Sequence, residues 1–180
     1  MKNATNQVFL FFIFIATSVS FYSCQAALSF PEQTIQTKAG LLCTLRPPQS
    51  QEEKEQALNF LKSQFGNLIG GSDYQEVVAI VRVASGAKIA GATRIVLPDK
   101  SRPYVWLSQL ATRTKFREQG IGSALLEYLI KNTPYPIRLF SYGKTISFYA
   151  KFGFRSYDRA IEGKMQRDPI ARDPHEGGTA

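Results

Sequence analysis

Hydrophobic and polar positions change period several times along the chain, and each change marks an element. Leu41 to Leu45 reads as a short strand closed by Arg46-Pro47-Pro48, and Ser50 with Glu53 three residues on resembles a capping box. Leu58, Leu61, Phe65 and Leu68 fall at helical spacing, predicting a helix from about Gln49 to Phe65 that ends near Gly66 and the Gly70-Gly71 turn. Tyr74 to Val83 contains the β-branched run Val77-Val78-Ala79-Ile80-Val81, as expected of a strand covered on both faces. Ser85-Gly86 offers a hairpin turn into Lys88 to Leu97, and the polar stretch Pro98 to Pro103 is a loop. Tyr104 to Thr112 resumes strand character, with Val105, Leu107 and Ala111 expected on one face and Trp106, Ser108, Leu110 and Thr112 on the other.

The strongest periodicity follows. Ile121, Ala124, Leu125, Tyr128 and Leu129 occupy i, i+3, i+4, i+7 and i+8, and Pro134 stops the helix. Ile137 to Phe140 reads as a strand and Thr145 to Phe152 as a short helix ending at Gly153. Phe154 to Tyr157 and Gly163 to Arg167 read as closing strands. The resulting order, β-α-β-β-β-α-β-α-β-β, predicts an α/β (α+β) domain with a mixed sheet flanked by helices.

The two ends stand apart from this pattern. Residues 1–27 carry Lys2 as their only charge, an apolar run of 14 residues from Val8 to Phe21, and small residues at Ser23, Ala26 and Ala27. That is the layout of a secretory signal peptide, and the run is short of the roughly 20 residues a membrane-spanning helix needs. Export is therefore expected, to a secreted, periplasmic or lipid-anchored location, with a cytoplasmic one if the signal is not used. Phe21-Tyr22-Ser23-Cys24 resembles an imperfect lipobox, so lipidation of Cys24 or retention of the segment would give the membrane as a partner. Residues 28–167 form the expected single domain, and 168–180, polar and without periodicity, a disordered tail. With Cys24 set aside, Cys43 among leucines is a buried strand residue rather than a nucleophile.

Charge narrows the chemistry. The chain is 180 residues long with a formal net charge of +8, and the basic residues are spread along it without a nucleic-acid-binding motif. No nucleic acid partner is expected. The single histidine, His175, lies in the tail, so neither a histidine base nor a histidine metal site is available and no metal is expected. What the charge suits is an anion held at Leu110 to Leu125, where an apolar strand passes through a basic, glycine-bearing turn into the most regular helix. Gly120 and Gly122 let the backbone approach a ligand. The first helical amides have no internal acceptor, and the helix dipole adds positive potential.

Leu110-Ala111-Thr112, Phe116-Arg117 and Gln119-Gly120-Ile121-Gly122 resemble the acetyl-CoA motif of the GNAT N-acetyltransferase superfamily, Arg or Gln, two residues, Gly, one residue, Gly or Ala. A second match, Phe148-Tyr149-Ala150-Lys151-Phe152-Gly153-Phe154, is similar to that family's late helix. The resemblance covers about Leu41 to Arg167 and implies a mostly antiparallel central sheet of six to seven strands. It implies an acyl-CoA-dependent N-acyltransferase, an enzyme passing acetyl from acetyl-CoA to the amine of a small molecule or polypeptide. The stretch from Arg117 through Glu118, Gln119, Gly120, Ile121 and Gly122 to Ser123 would bind the cofactor, the amides from Gln119 onward holding its pyrophosphate and Arg117 adding charge. Leu110, Ala111 and Thr112 would flank the pantetheine arm, and Tyr149 would be the general acid for the leaving thiolate.

Two departures accompany the resemblance. Relatives often carry a carboxylate base on the central strands, but Tyr104 to Thr112 has none, and Glu76 is the nearest candidate. Relatives also often carry Asn seven residues before the tyrosine, where this chain has Tyr142. These favour an alternative, a catalytically degenerate, exported or lipid-tethered module of the same fold that binds a CoA thioester or a protein partner. A Rossmann dinucleotide site is excluded because the third glycine position is Leu125. Acceptor contacts are expected from the loops Gly66 to Asp73 and Asp99 to Arg102; the acceptor and the oligomeric state are not specified by the sequence.

Overall fold

The computed structural model describes residues 28–66, 68, 74–83, 86–158 and 163–169. The signal segment with Cys24, the Gly70-Gly71 turn, Ser85 and the tail from 170 with His175 lie outside the described residues. In chain order the elements are β1 (Gln33–Gln36), β2 (Leu42–Arg46), α1 (Gln51–Phe65), β3 (Tyr74–Val83), β4 (Gly86–Val96), β5 (Val105–Thr112), α2 (Ile121–Asn132), β6 (Ile137–Phe140), α3 (Lys144–Ala150), β7 (Arg155–Ser156) and β8 (Lys164–Arg167). The strands form one sheet ordered β1-β2-β3-β4-β5-β6-β8-β7. Every neighbouring pair is antiparallel except β5 and β6. The sheet thus has the expected mixed, mostly antiparallel character and eight strands rather than six or seven. The addition is β1, Gln-Thr-Ile-Gln, which has no apolar alternation and is defined by its pairing with β2.

Helices cover both faces. On one, α2 buries Ile121, Ala124, Leu125, Tyr128 and Leu129 against Val77, Ala79, Val81, Ile95, Val105 and Leu107, with Cys43 in the same cluster. Each fully buried Val, Leu or Ile among these contributes about 1.5–3 kcal/mol. On the other face α1 packs Ala57, Phe60 and Leu61 against Val78, Ile80, Ala92 and Ala111. This corrects the stripe expected for α1. Leu61 is buried as expected, but Phe65 is 49% exposed and Phe60 takes the inward position. Phe60 shares this cluster with the small side chains of Ala92 and Ala111.

Two bulges shape the sheet where the elements converge. Between β3 and β4 the register passes from Ala79↔Gly91 to Ile80↔Ile89, leaving Ala90 as the extra residue. Its carbonyl accepts the amide of Arg113 at 2.8 Å, anchoring the chain as it leaves β5. Between β4 and β5 the register passes from Arg94↔Gln109 to Ile95↔Leu107, so Ser108 is extra. That bulge overturns the expected alternation of β5. Val105 and Leu107 face α2, but beyond Ser108 the period slips by one, placing Ala111 in the α1 cluster and turning Leu110 toward the α2 cluster.

Candidate functional site

The Ser108 bulge falls where the sheet opens. Pairing between β5 and β6 covers Val105↔Ile137, Trp106↔Arg138 and Leu107↔Leu139 and stops there. From Gln109 to Thr112, β5 remains paired to β4 while β6 turns away into α3. A wedge therefore opens between the two parallel strands, with the start of α2 on one side and α3 on the other. A methyl group added at Gly122 would meet Thr112 Oγ1 at 3.4 Å, Leu110 Cδ2 at 3.7 Å and Phe148 Cζ at 3.9 Å. Gly122 thus faces a space shared by β5 and α3, which is where its lack of a side chain matters.

The turn into α2 presents main-chain donors. Thr114–Phe116 forms a 3-10 turn, after which Arg117 is extended. Glu118 and Gly120 have φ of 63° and 84°, and Gln119 between them does not share that sign. Alternation of this kind curls successive amides toward one point, forming an anion-binding nest. Glu118 is the single described residue other than glycine at positive φ, a conformation that is uncommon and costly for a long side chain. Gly120 caps α2 with no side-chain hydrogen bond, and the first turn contains no acid. Among the described residues the amides of Ile121, Gly122 and Ser123 therefore have no side-chain acceptor. Gly91 supports this arrangement from below: a methyl group there would stand 2.9 Å from the Ala111 oxygen and 3.1 Å from side-chain atoms of Ile121 and Leu125.

The remaining predicted residues divide. Leu110 and Thr112 line the wedge, while Ala111 points to α1 and offers only main chain. Arg117 is directed toward α1, where Nη2 donates to Gln64 at 3.4 Å, and Gln119 Nε2 donates to the Lys115 oxygen at 3.0 Å. Tyr149 lies on α3 between the rings of Phe148 and Phe154, with centroids 5.1 and 5.7 Å away. Burial pushes its phenol up to about 12. Tyr142 is 71% exposed at the end of β6, edge-on to Phe140.

Glu76 is not brought beside Tyr149. It is 4% exposed on the α1 face of β3, its Oε1 accepting from Arg94 Nε at 3.1 Å and its Oε2 lying 3.8 Å from Lys54 Nζ. Arg94 also lies over the Tyr74 ring at 3.8 Å. The carboxylate is thus occupied by cations. Sequence reasoning missed the support of Gly120 by the β1–β2 turn, where the Lys38 amide and Thr37 Cβ come within 3.6 Å of a methyl placed on that glycine. It missed the Ser108 bulge and Gly91 as well. The turn Thr37-Lys38-Ala39-Gly40 was the available signal for the first; nothing local marks the other two.

Residues 75–156 match the family model described as an acetyltransferase (GNAT) domain. None of the curated proteins compared matches the chain. Among solved structures, an acyl-CoA N-acyltransferase from Pseudomonas aeruginosa is 18% identical over 71% of this chain and 99% of its own, with a TM-score of 0.55. AtaTR bound with AcCoA is 12% identical, covering 70% and 92% of the two chains at a TM-score of 0.55. Naa50 from Arabidopsis thaliana, in complex with the bisubstrate analogue CoA-Ac-MVNAL, is 22% identical, covering 69% and 94% at a TM-score of 0.51. At these identities the likeness is one of fold.

Proposed function

We propose that the chain belongs to the GNAT superfamily, whose acetyltransferase domain model matches residues 75–156, and that it is an acyl-CoA-dependent N-acyltransferase taking acetyl-CoA as donor and an amine as acceptor. The observation that carries this reading is the uncapped start of α2 opening onto the wedge between β5 and β6. The amides of Gln119 to Ser123 hold the pyrophosphate, helped by the helix dipole. The main chain of Ser108 to Thr112, released from β6, pairs with the pantetheine arm as an added strand would. A strand amide near Leu110 or Thr112 polarises the thioester carbonyl as the amine attacks. The C–N bond forms, the C–S bond breaks, and the amine's proton passes to solvent or to the departing sulfur.

Tyr149 serves that last step as a hydrogen-bond donor. Its phenol, at about 12, stays protonated at neutral pH. It is a weaker acid than an ordinary thiol at roughly 8.5, so complete transfer of its proton to the thiolate is uphill. Tyr149→Phe should lower kcat by about a hundredfold and leave acetyl-CoA affinity nearly unchanged. An unchanged rate removes Tyr149 from the mechanism. Glu76, tied to Arg94, supports a positioning role, which leaves a neutral amine or a water chain to manage the first proton. The same pairing favours a second reading, a non-catalytic module that binds a CoA thioester.

Calorimetry with acetyl-CoA on the folded full chain tests both readings, since no binding defeats both. Thiol release with a panel of amines then separates them. We propose further that the chain is exported; N-terminal analysis should find a mature start near Cys24 or Leu28, and an intact Met1 in the cytosol contradicts this.

A further inference from the structure

The helix α1 covers only part of its face of the sheet. The cluster beneath it draws on β3, β4 and β5 and contains no described residue of β6, β7 or β8. Beyond α1 the same face continues uncovered. Val105, Leu107, Ile137, Leu139 and Met165 belong to the α2 cluster, so Trp106, Arg138 and Gln166, which alternate with them, share the opposite face. Those three stand in one row across β5, β6 and β8, and each is only partly buried.

Arg138 is held rigidly in that row. Its guanidinium lies between two rings, 4.2 Å from the Tyr104 centroid and 4.8 Å from that of Tyr157. Its Nε donates to Gln166 Oε1 at 2.5 Å, and Gln166 Nε2 donates in turn to Asp168 Oδ1 at 2.8 Å. Nη1 and Nη2 have no hydrogen-bond partner among the described residues. Arg46, Arg94 and Arg102 each meet a carboxylate of the chain, and Arg138 does not. A guanidinium fixed in this way presents a two-donor fork matched to a carboxylate. Arg155 and Lys164 on the neighbouring strands are balanced by Asp158 and Asp168, so the local charge is that of Arg138 and suits a monoanion over a phosphate dianion.

The row lies close to the wedge, since Trp106↔Arg138 is followed by one more pair, Leu107↔Leu139, before β5 and β6 part. Two to three residues of strand separate Arg138 from the open segment of β5, roughly 7–10 Å. We propose that Arg138 anchors the acceptor by a carboxylate, so that the substrates are amines carrying a carboxylate roughly 7–10 Å away, the span of two to three extended residues. The proposal rests on the acyl-CoA reading given above. A free α-amino acid, with both groups on one carbon, is too short to bridge the two points.

The test is thiol release by the full chain at saturating acetyl-CoA and low salt, with triglycine and with triglycine amide as acceptors. The wild type should use the free acid about tenfold better in kcat/KM, as one charge-assisted pair on a half-buried surface allows. Arg138→Met keeps an unbranched stem between the two tyrosines; it should cut that preference to about twofold or less and leave acetyl-CoA affinity by calorimetry unaltered. Gln166→Glu keeps the side-chain shape but sets the chain's own carboxylate against Arg138, and should lower the preference as well. Lys131→Ala, which removes a cation from the far end of α2, should leave the preference intact. Equal use of the two acceptors by the wild type, an undiminished preference in Arg138→Met, or no turnover of either acceptor although acetyl-CoA binds, overturns the anchor and spares the acyl-CoA reading. Failure to bind acetyl-CoA overturns both.

Discussion

The two long helices begin in opposite ways. At the start of α1, Ser50 Oγ accepts the Glu53 amide at 3.1 Å, and the Glu53 carboxylate accepts the Gln49 amide at 2.7 Å. Arg46 adds two further bonds to that carboxylate, at 2.6 and 2.9 Å, and Glu52 also lies in the first turn. The protein's own acids neutralise this helix end. At the start of α2 there is no side-chain cap and no acid, and a glycine in the left-handed region occupies the N-cap. Both ends face the same requirement, since the first amides of any helix lack intrahelical acceptors. One end is closed for stability. The other is left for an anion, and it opens where β5 and β6 part.

The sharpest way to break this contrast is to move the open end. Gly91→Ala drives a methyl group against the Ala111 oxygen and the Ile121 and Leu125 side chains that seat the first turn of α2. Overpacking of this kind should cost about 1–3 kcal/mol in urea unfolding. Acetyl-CoA affinity should fall with it, because the cradle shifts. Full stability in this variant would show that the packing beneath α2 is looser than described.

Closing the open end should produce the reverse pattern. Ser123→Asp places a carboxylate in the first turn of α2, as Glu53 stands in α1. Stability should hold or rise by about 0.3–1 kcal/mol through the helix dipole. Acetyl-CoA affinity should drop at least about tenfold by calorimetry, since the new charge meets the pyrophosphate. Unchanged affinity would place the anion elsewhere.

Opening the closed end should have the smallest effect. Ser50→Ala should lower stability by about 1 kcal/mol and leave acetyl-CoA binding alone. The cap also carries a pH signature. Burial alone would raise the Glu53 carboxyl, but hydrogen bonds from Arg46 and Gln49 and the charge of Arg46 outweigh it and hold the group below its usual range. A lowered folded-state pKa contributes stability above the ordinary carboxylate value, and that contribution is lost as pH falls through the lowered one. Glu53→Gln should therefore flatten the acid side of the stability curve. The alkaline side belongs to other groups. Burial raises Cys43 to about 11 and Tyr149 to about 12, so their contributions fade as pH climbs from about 9 toward 12.

How much of this was legible in the sequence follows from how local each cause is. The helix α2 and its glycine turn were readable because Ile121, Ala124, Leu125, Tyr128 and Leu129 repeat without interruption and Gly120 and Gly122 mark the approach. The α1 cap was readable because Ser50 and Glu53 are three apart. The faces of β5 were not, since the Ser108 bulge flips the alternation with nothing in its composition to announce it. Nor was β1, which is defined by what it pairs with. Arg113 and Lys115 alternate visibly along the chain, but Lys88 comes to line one groove with them only through folding. The candidate base suffers the same limit: Glu76 is a plausible carboxylate in sequence, and only folding reveals Arg94 on its oxygen.

The most direct test is amide hydrogen exchange of the full chain with and without acetyl-CoA, resolved to single residues. The account predicts added protection at Gln119 to Ser123 and along Ser108 to Thr112, with no change at Glu52 to Lys54, where α1 is already capped. Protection confined to other segments, or shared equally by the two helix starts, would contradict it.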